Sequence, residues 1–191
     1  MRLMIIALSL LVLGLGCIPN RSVSNPASPG GVELRVSPDP FHYRVEGEEL
    51  RLTLVNHTET AIVAVQPGDG SNGGSRTPIL RFTARSSQSG QIVPPRQPEG
   101  GCGNINSLHS DEVFTVEPGA SAELSGTWVD PWSGLPPGSY RVTLEYHHEP
   151  TLEWSGIPLG EHDAESMQKI QGSAPYRCVS APFTLIVPKT R

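Results

Sequence analysis

Helical periodicity is the first thing this sequence lacks. Apolar residues recur at every second position and hardly ever at every third and fourth, which excludes a helical bundle. It also lacks a basic stripe, since 14 Lys and Arg are scattered among 19 Asp and Glu for a net charge of −5. Nucleic-acid binding needs a concentrated positive footprint to displace counterions, so no nucleic-acid partner is expected. A mildly acidic surface serves solubility instead. No glycine-rich phosphate cradle and no zinc-protease helix occur. A copper-binding sandwich would place His and Met closely after a cysteine, and neither Cys102 nor Cys178 is followed that way. The stretch from Asp69 to Gly74 lacks the ligand spacing and distal Glu of a calcium loop, and Asp69 stands where a nucleophile elbow needs Gly before Ser71. It reads as a turn, and no cofactor is expected.

Alternating strands make up most of the chain. Between Val113 and Tyr146, Tyr140, Val142, Leu144 and Tyr146 fall on one side of an extended segment, with Arg141, Thr143 and Glu145 on the other. Pro136-Pro137-Gly138 punctuates its start, and Glu117-Pro118-Gly119 marks a turn expected to close a hairpin between Val113–Val116 and Ala122–Trp128. The same two-residue rhythm runs through Val32–Val36, which Ser37-Pro38-Asp39-Pro40 is expected to end. It recurs in Leu50–Leu54, Ile79–Arg85 and Phe183–Val187. Ala61–Val65 is a more continuously apolar strand, and Ile92-Val93 a short partner. The 20 Gly and 19 Pro lie between these runs, as turns should. Pro94–Ser110 and residues 149–181 are long connections, the second with a short helix within Glu161–Gln171 stopped by Gly172. About eight strands at turn-bounded spacing predict an all-β sandwich of two packed sheets in residues 32–188.

The start of the chain has a different character. Arg2 precedes an almost wholly apolar run, Leu3–Leu15, shorter than the roughly 20 residues that span a bilayer and fitting the apolar core of an export signal over residues 1–16. Leu13-Gly14-Leu15-Gly16-Cys17 resembles a bacterial lipobox, with a small residue before the cysteine that receives lipid. That pattern usually has Leu three places before the cysteine, where Gly14 stands here. The resemblance implies lipidation at Cys17 and a membrane partner; ordinary cleavage to an exported soluble protein is the alternative. Ile18 in place of Asp implies, by the same resemblance, the outer membrane if the cell is Gram-negative. Residues 17–31, poor in apolar side chains and rich in Ser, Pro, Asn and Gly, read as a flexible tether.

With Cys17 lipidated, Cys102 and Cys178 remain as an even pair in an oxidising compartment. A disulfide between them would contribute about 4 kcal/mol in the chain-entropy model. Two free thiols are the alternative.

An Asn-x-Thr turn after Leu50–Leu54, then Val116-Glu117-Pro118-Gly119-x-Ser121, Trp128 and Gly138-x-Tyr140-x-Val142, resembles bacterial immunoglobulin-like domains. The same landmarks are similar to those of the BsuPI-type intracellular proteinase inhibitor family, whose Pro-Gly, Trp and Gly-x-Tyr residues follow in that order. The likeness covers roughly Leu50 to Tyr146 and implies an immunoglobulin-like antiparallel sandwich. The export signal, the Cys102/Cys178 pair and the insertion after Tyr146 depart from that family.

Candidate functional residues are few. Adjacent strand residues face opposite ways, so His147 and His148 do not share a metal and read as a polar strand end. His109, His162 and Asp163 lie on loops without metal-ligand spacing. Trp128 is expected in the core. Trp132 and Trp154, in loops, are either pinned beneath them or offered to a ligand, and are the candidate binding residues. Asn56-His57-Thr58 and Asn20-Arg21-Ser22 match the glycosylation acceptor pattern, without consequence in a bacterial lipoprotein. The expected function is a non-catalytic, membrane-anchored binding module of the cell envelope, with an envelope protein or wall polymer as partner at the two long connections. The alternatives are a proteinase inhibitor presenting a braced loop around Cys102, and an envelope enzyme or metal-binding protein using His109, His147 or His148.

Overall fold

The computed structural model describes residues 31–69, 76, 79–94, 104–125, 132, 134–151 and 157–189, together with the backbone of 21–23. Strands β1 (Arg21–Val23), β2 (Val32–Asp39), β3 (Phe41–His42), β4 (Arg51–Asn56), β5 (Ile62–Val65), β6 (Leu80–Ser86), β7 (Ile92–Val93) and β8 (Asn104–Ile105) are followed by a single 3-10 turn, Ser110–Glu112. Then come β9 (Val113–Val116), β10 (Ser121–Leu124), β11 (Gly138–His148), β12 (Ile157–Pro158), helix α1 (Ala164–Gln171), β13 (Tyr176–Val179) and β14 (Phe183–Val187). The molecule is an all-β sandwich with one short helix. One sheet has the order β1-β2-β4-β10 and the other β3-β14-β11-β6-β7, while β5-β9 and β8-β12 form two small sheets.

The alternation seen in the sequence becomes the core. Tyr140, Val142, Leu144, Tyr146 and also His148 of β11 are buried. Their cross-strand partners include Ala84 and Phe82 of β6, and Phe183 and Leu185 of β14. Leu34, Val36, Leu52, Leu54 and Leu124 come from the other sheet, joined in register as Leu34↔Leu54, Val36↔Leu52 and Leu124↔Leu52. A strand buried on one face must present such a face to another layer, and these two faces supply each other's cover. Near the start of β11 the Tyr140 hydroxyl donates to Pro136 O at 2.5 Å. This tyrosine corner locks the turn before the strand.

Several sequence expectations need correction. Val113–Val116 and the following strand do not form a hairpin: β9 pairs with β5, and β10 with β4 in another sheet. The Pro-Gly turn carries the chain from one layer to the next, with Gly119 at φ 75, a conformation that favours glycine. Asn56, fully buried, holds that corner. Its Nδ2 donates to Thr60 O and Val116 O at 2.8 Å each, its Oδ1 accepts from Thr58, and its backbone bonds Gly119 and Ala120. The sequon asparagine is thus a structural hub. β2 continues through Asp39 rather than stopping at Ser37, and Arg21–Val23, inside the expected tether, pairs with β2. An unpaired sheet edge presents backbone donors and acceptors, which any adjacent extended segment can satisfy.

The connection over 149–181 contains a strand the sequence reading missed, β13, paired with the C-terminal half of β11 while β14 pairs with the N-terminal half. Buried Ser180 bridges the break: its N donates to Leu144 O at 2.8 Å, and its Oγ accepts from Leu144 N at 3.0 Å. The expected helix is present, capped by Asp163, which accepts from Ser166 N at 2.9 Å.

The small β5-β9 sheet is fastened through tyrosines. The buried Tyr146 hydroxyl accepts from Val65 N and donates to Val65 O, both at 2.8 Å. Tyr176 of β13 donates to Val63 O at 3.0 Å. The free edge of β5 is therefore satisfied by two phenols, and burial raises both pKa values so that the hydroxyls stay protonated. Tyr146→Phe strands two buried backbone groups, at about 1–3 kcal/mol each. We expect urea unfolding to show a loss of roughly 2–6 kcal/mol for Tyr146→Phe and about half that for Tyr176→Phe. A loss below 1 kcal/mol for the first would show that β5 is held by packing alone.

Candidate functional site

The C-terminal end of β11 opens into a cavity of about 610 Å³. His147 and His148 of β11 and the residues after it, Glu149, Pro150 and Thr151, form one side. Val65 of β5 and Ile79 before β6 form another, and Met167, Ile170 and Gln171 of α1 a third. Ile105 of β8, Pro158 of β12 and His162 complete the wall. Both long connections singled out in the sequence thus contribute. The tyrosine clamp on β5 is what places Val65 in that wall.

The imidazoles are held by specific partners. His148 is 3% exposed and stacks on Tyr176, with ring centroids 5.2 Å apart, and Tyr176 stacks in turn on Tyr146 at 5.9 Å. Its Nε2 lies 2.7 Å from Ser173 Oγ. Ser173 gives its own proton to Ile170 O at 2.6 Å, so His148 Nε2 is the donor to Ser173. What looks like a serine beside its base is therefore a structural chain with the proton running the wrong way for activation. Burial pushes the His148 pKa down to about 4, outweighing the opposing pull of Glu149, so the ring is neutral at neutral pH. His162 Nδ1 accepts from Leu108 N at 2.9 Å. Burial and the nearby Arg76 guanidinium lower its pKa as well.

Arg76 is the buried cation of the region. It donates to Gly68 O, to Gln66 O at 3.4 Å and to Glu112 Oε2 at 2.9 Å. Glu112 also accepts from His109 N at 2.8 Å. This ties the loop before β6 to the turn before β9, and a buried pair of this kind is costly to break by removing one partner.

The sequence-derived candidates fare unevenly. His147 and His148 do project from opposite faces of the strand, yet the cavity reaches both, and His148 belongs to the buried series rather than to a polar end. Its position two residues beyond Tyr146 carried that signal. His109 is exposed and outside the cavity, and Asp163 is committed to capping α1. Among the described residues no group of three or more His, Cys, Asp or Glu is placed to hold a metal. Trp132 is 6% exposed, tilted against Phe82 with centroids 5.1 Å apart and edge-on to Phe183 at 6.4 Å, so its ring is packed in the core cluster. Cys178 is a buried thiol opposite Tyr146, its pKa pushed up to about 12 by burial and by Glu145, which keeps it protonated. Cys17, Cys102, Trp128 and Trp154 lie outside the described residues. Sequence reasoning missed Tyr176, Arg76, Met167 and Ile170, since none stands in a recognisable motif.

The folded-state pKa of His148 is depressed, so its contribution to stability is complete above the unfolded value near 6.5 and is lost as pH falls toward about 4. Between pH 7 and pH 5 this amounts to about 2 kcal/mol. Urea melts of His148→Gln should therefore show a stability that changes by about 2 kcal/mol less over that interval than wild type. Parallel pH dependences would mean that the fold does not depress the His148 pKa.

Compared with family models, curated proteins and solved structures, the chain finds no match.

Proposed function

We propose that this chain is an exported lipoprotein, anchored through Cys17, whose β-sandwich head is a binding module of the cell envelope. The observation that carries the binding reading is the cavity at the end of β11, lined by the buried, neutral His148 and by His162. His148 Nε2 bonds Ser173, His162 accepts from a backbone amide, and the Ser173 hydroxyl points its proton at a carbonyl. Among the described residues no base of the cavity contacts a nucleophile, which suits a site that holds a ligand. The anchoring reading rests on the apolar run Leu3–Leu15 and the Gly16-Cys17 junction. Lipid chains contribute ~0.8 kcal/mol per buried methylene, and two or more make attachment lasting. The head, joined to the anchor by residues 17–31, would then meet an envelope protein or wall polymer at its long connections. In a Gram-negative cell it would sit at the outer membrane.

Expression of the full-length chain in a Gram-negative host fed alkyne-palmitate tests the anchor. Wild type is expected to take up label and to sediment with membranes, whereas Cys17→Ser takes up none and accumulates as a larger precursor. Equal labelling of the two, or an unlabelled wild type, would overturn the anchor. Cleavage without label would make this an exported soluble protein.

A further inference from the structure

We infer that the end of the sandwich where β11 begins is the membrane-facing surface of the head, seated against an anionic lipid bilayer, and that the cavity at the other end of β11 points away from it. The inference deepens the reading of lipid attachment at Cys17 and rests on it.

Strand pairing supplies the geometry. β1 runs antiparallel to β2 with Arg21 opposite Asp39, so the chain enters the fold at the C-terminal end of β2. Asp39 accepts from Thr184 N at 2.8 Å, and Thr184 lies opposite Arg141, near the start of β11. At its other end β2 begins with Val32, opposite Asn56. Asn56 bonds Val116 O, and β9 pairs with β5, whose Val65 is clamped by Tyr146 and lines the cavity. Arg21 and the cavity are therefore at opposite ends of the sandwich.

Chain length makes the attachment tight. Only Ile18, Pro19 and Asn20 separate Cys17 from β1. Fully extended at ~3.5 Å per residue, they let Cys17 lie no farther than ~14 Å from Arg21. The 11 residues of β11 set the two ends of the sandwich apart by ~34 Å. A tether unpaired as far as Val32 would reach ~50 Å and leave the head free to turn. Pairing of β1 with β2 fixes which end sits on the lipid.

Charge favours the same orientation. Where β11 begins, Arg44, Arg51, Arg85, Arg141 and Lys189 are exposed. Among the described residues the exposed acids of that end are Glu46 and Glu49, while Glu48 faces His42 and Asp39 bonds Thr184 N. The cavity end carries Glu59, Asp111, Glu117, Glu149, Glu161 and Glu165 against Lys169. Its arginines face carboxylates, Arg76 at Glu112, and Arg81 and Arg177 at Glu145. An anionic lipid surface attracts the first end and repels the second within a Debye length.

The test uses the complete lipidated protein, deuterated and 15N-labelled, in nanodiscs of phosphatidylcholine and phosphatidylglycerol with and without a gadolinium-chelating lipid. Amides of residues 44–47, 86–91 and 138–140 are expected to gain relaxation roughly ten-fold or more over those of 147–149 and α1, given the ~14 Å reach and ~34 Å strand. Ser22→Pro/Val23→Pro removes two backbone donors from β1, outside the core, and should even out the enhancement over the head. Even enhancement in the wild type would overturn the inference and leave the anchor standing. So would the strongest enhancement at residues 157–159, where Ile157 and Leu159 are 71% and 62% exposed, since the cavity would then lie against the bilayer. A purified chain that carries no lipid and stays out of the nanodiscs overturns the anchor, and the membrane face falls with it. The wild-type profile decides by itself, so a misfolded variant leaves the outcome intact.

Discussion

The hydroxyl of Tyr146 is where the molecule's layers are tied together. It sits on the buried face of β11, the strand that pairs with β6 along one edge and with β13 and β14 along the other. From there it closes both the donor and the acceptor of Val65 in a different sheet. Without it, the edge of β5 would keep buried, unpaired backbone groups, which interiors rarely tolerate. Tyr176 repeats the arrangement at Val63, and its ring bridges Tyr146 and His148. A single column of aromatic rings thus runs from the core to the floor of the cavity.

That column explains the chemical character of the cavity. The ring stacked at its end is desolvated and therefore neutral, and its one committed nitrogen leaves the other as an acceptor. The apolar residues of α1 reach the same space because Asp163 starts the helix, and because Ile170 is turned inward. The cavity is therefore assembled from the ends of elements whose middles build the core.

Much of the architecture was readable beforehand. The buried faces of β2, β4, β6, β11 and β14, the helix before Gly172 and the short β6-β7 partnership all follow from local rhythm and turn residues. The error over Glu117–Ala120 is instructive. A Pro-Gly turn between two strands states that the chain reverses or bends, and says nothing about which sheet the second strand joins. That choice was made by Asn56, distant in sequence from Val116, through a hydrogen bond that no local pattern announces. Trp132 is a similar case: its neighbours in sequence are polar enough for exposure, and the ring packs against Phe82 and Phe183, both distant in sequence.

The amino-acid order alone determined the all-β class, the direction in which each long strand faces and the apolar character of Leu3–Leu15, because all three depend on neighbours within a few residues. The tertiary structure alone decided that β9 and β10 part company, that Arg76 is buried against Glu112, and that His148 comes to rest beside Tyr176, Ser173 and α1. Each of those contacts joins segments well apart along the chain, and no residue carries a mark of its partner until packing brings the two within hydrogen-bond reach.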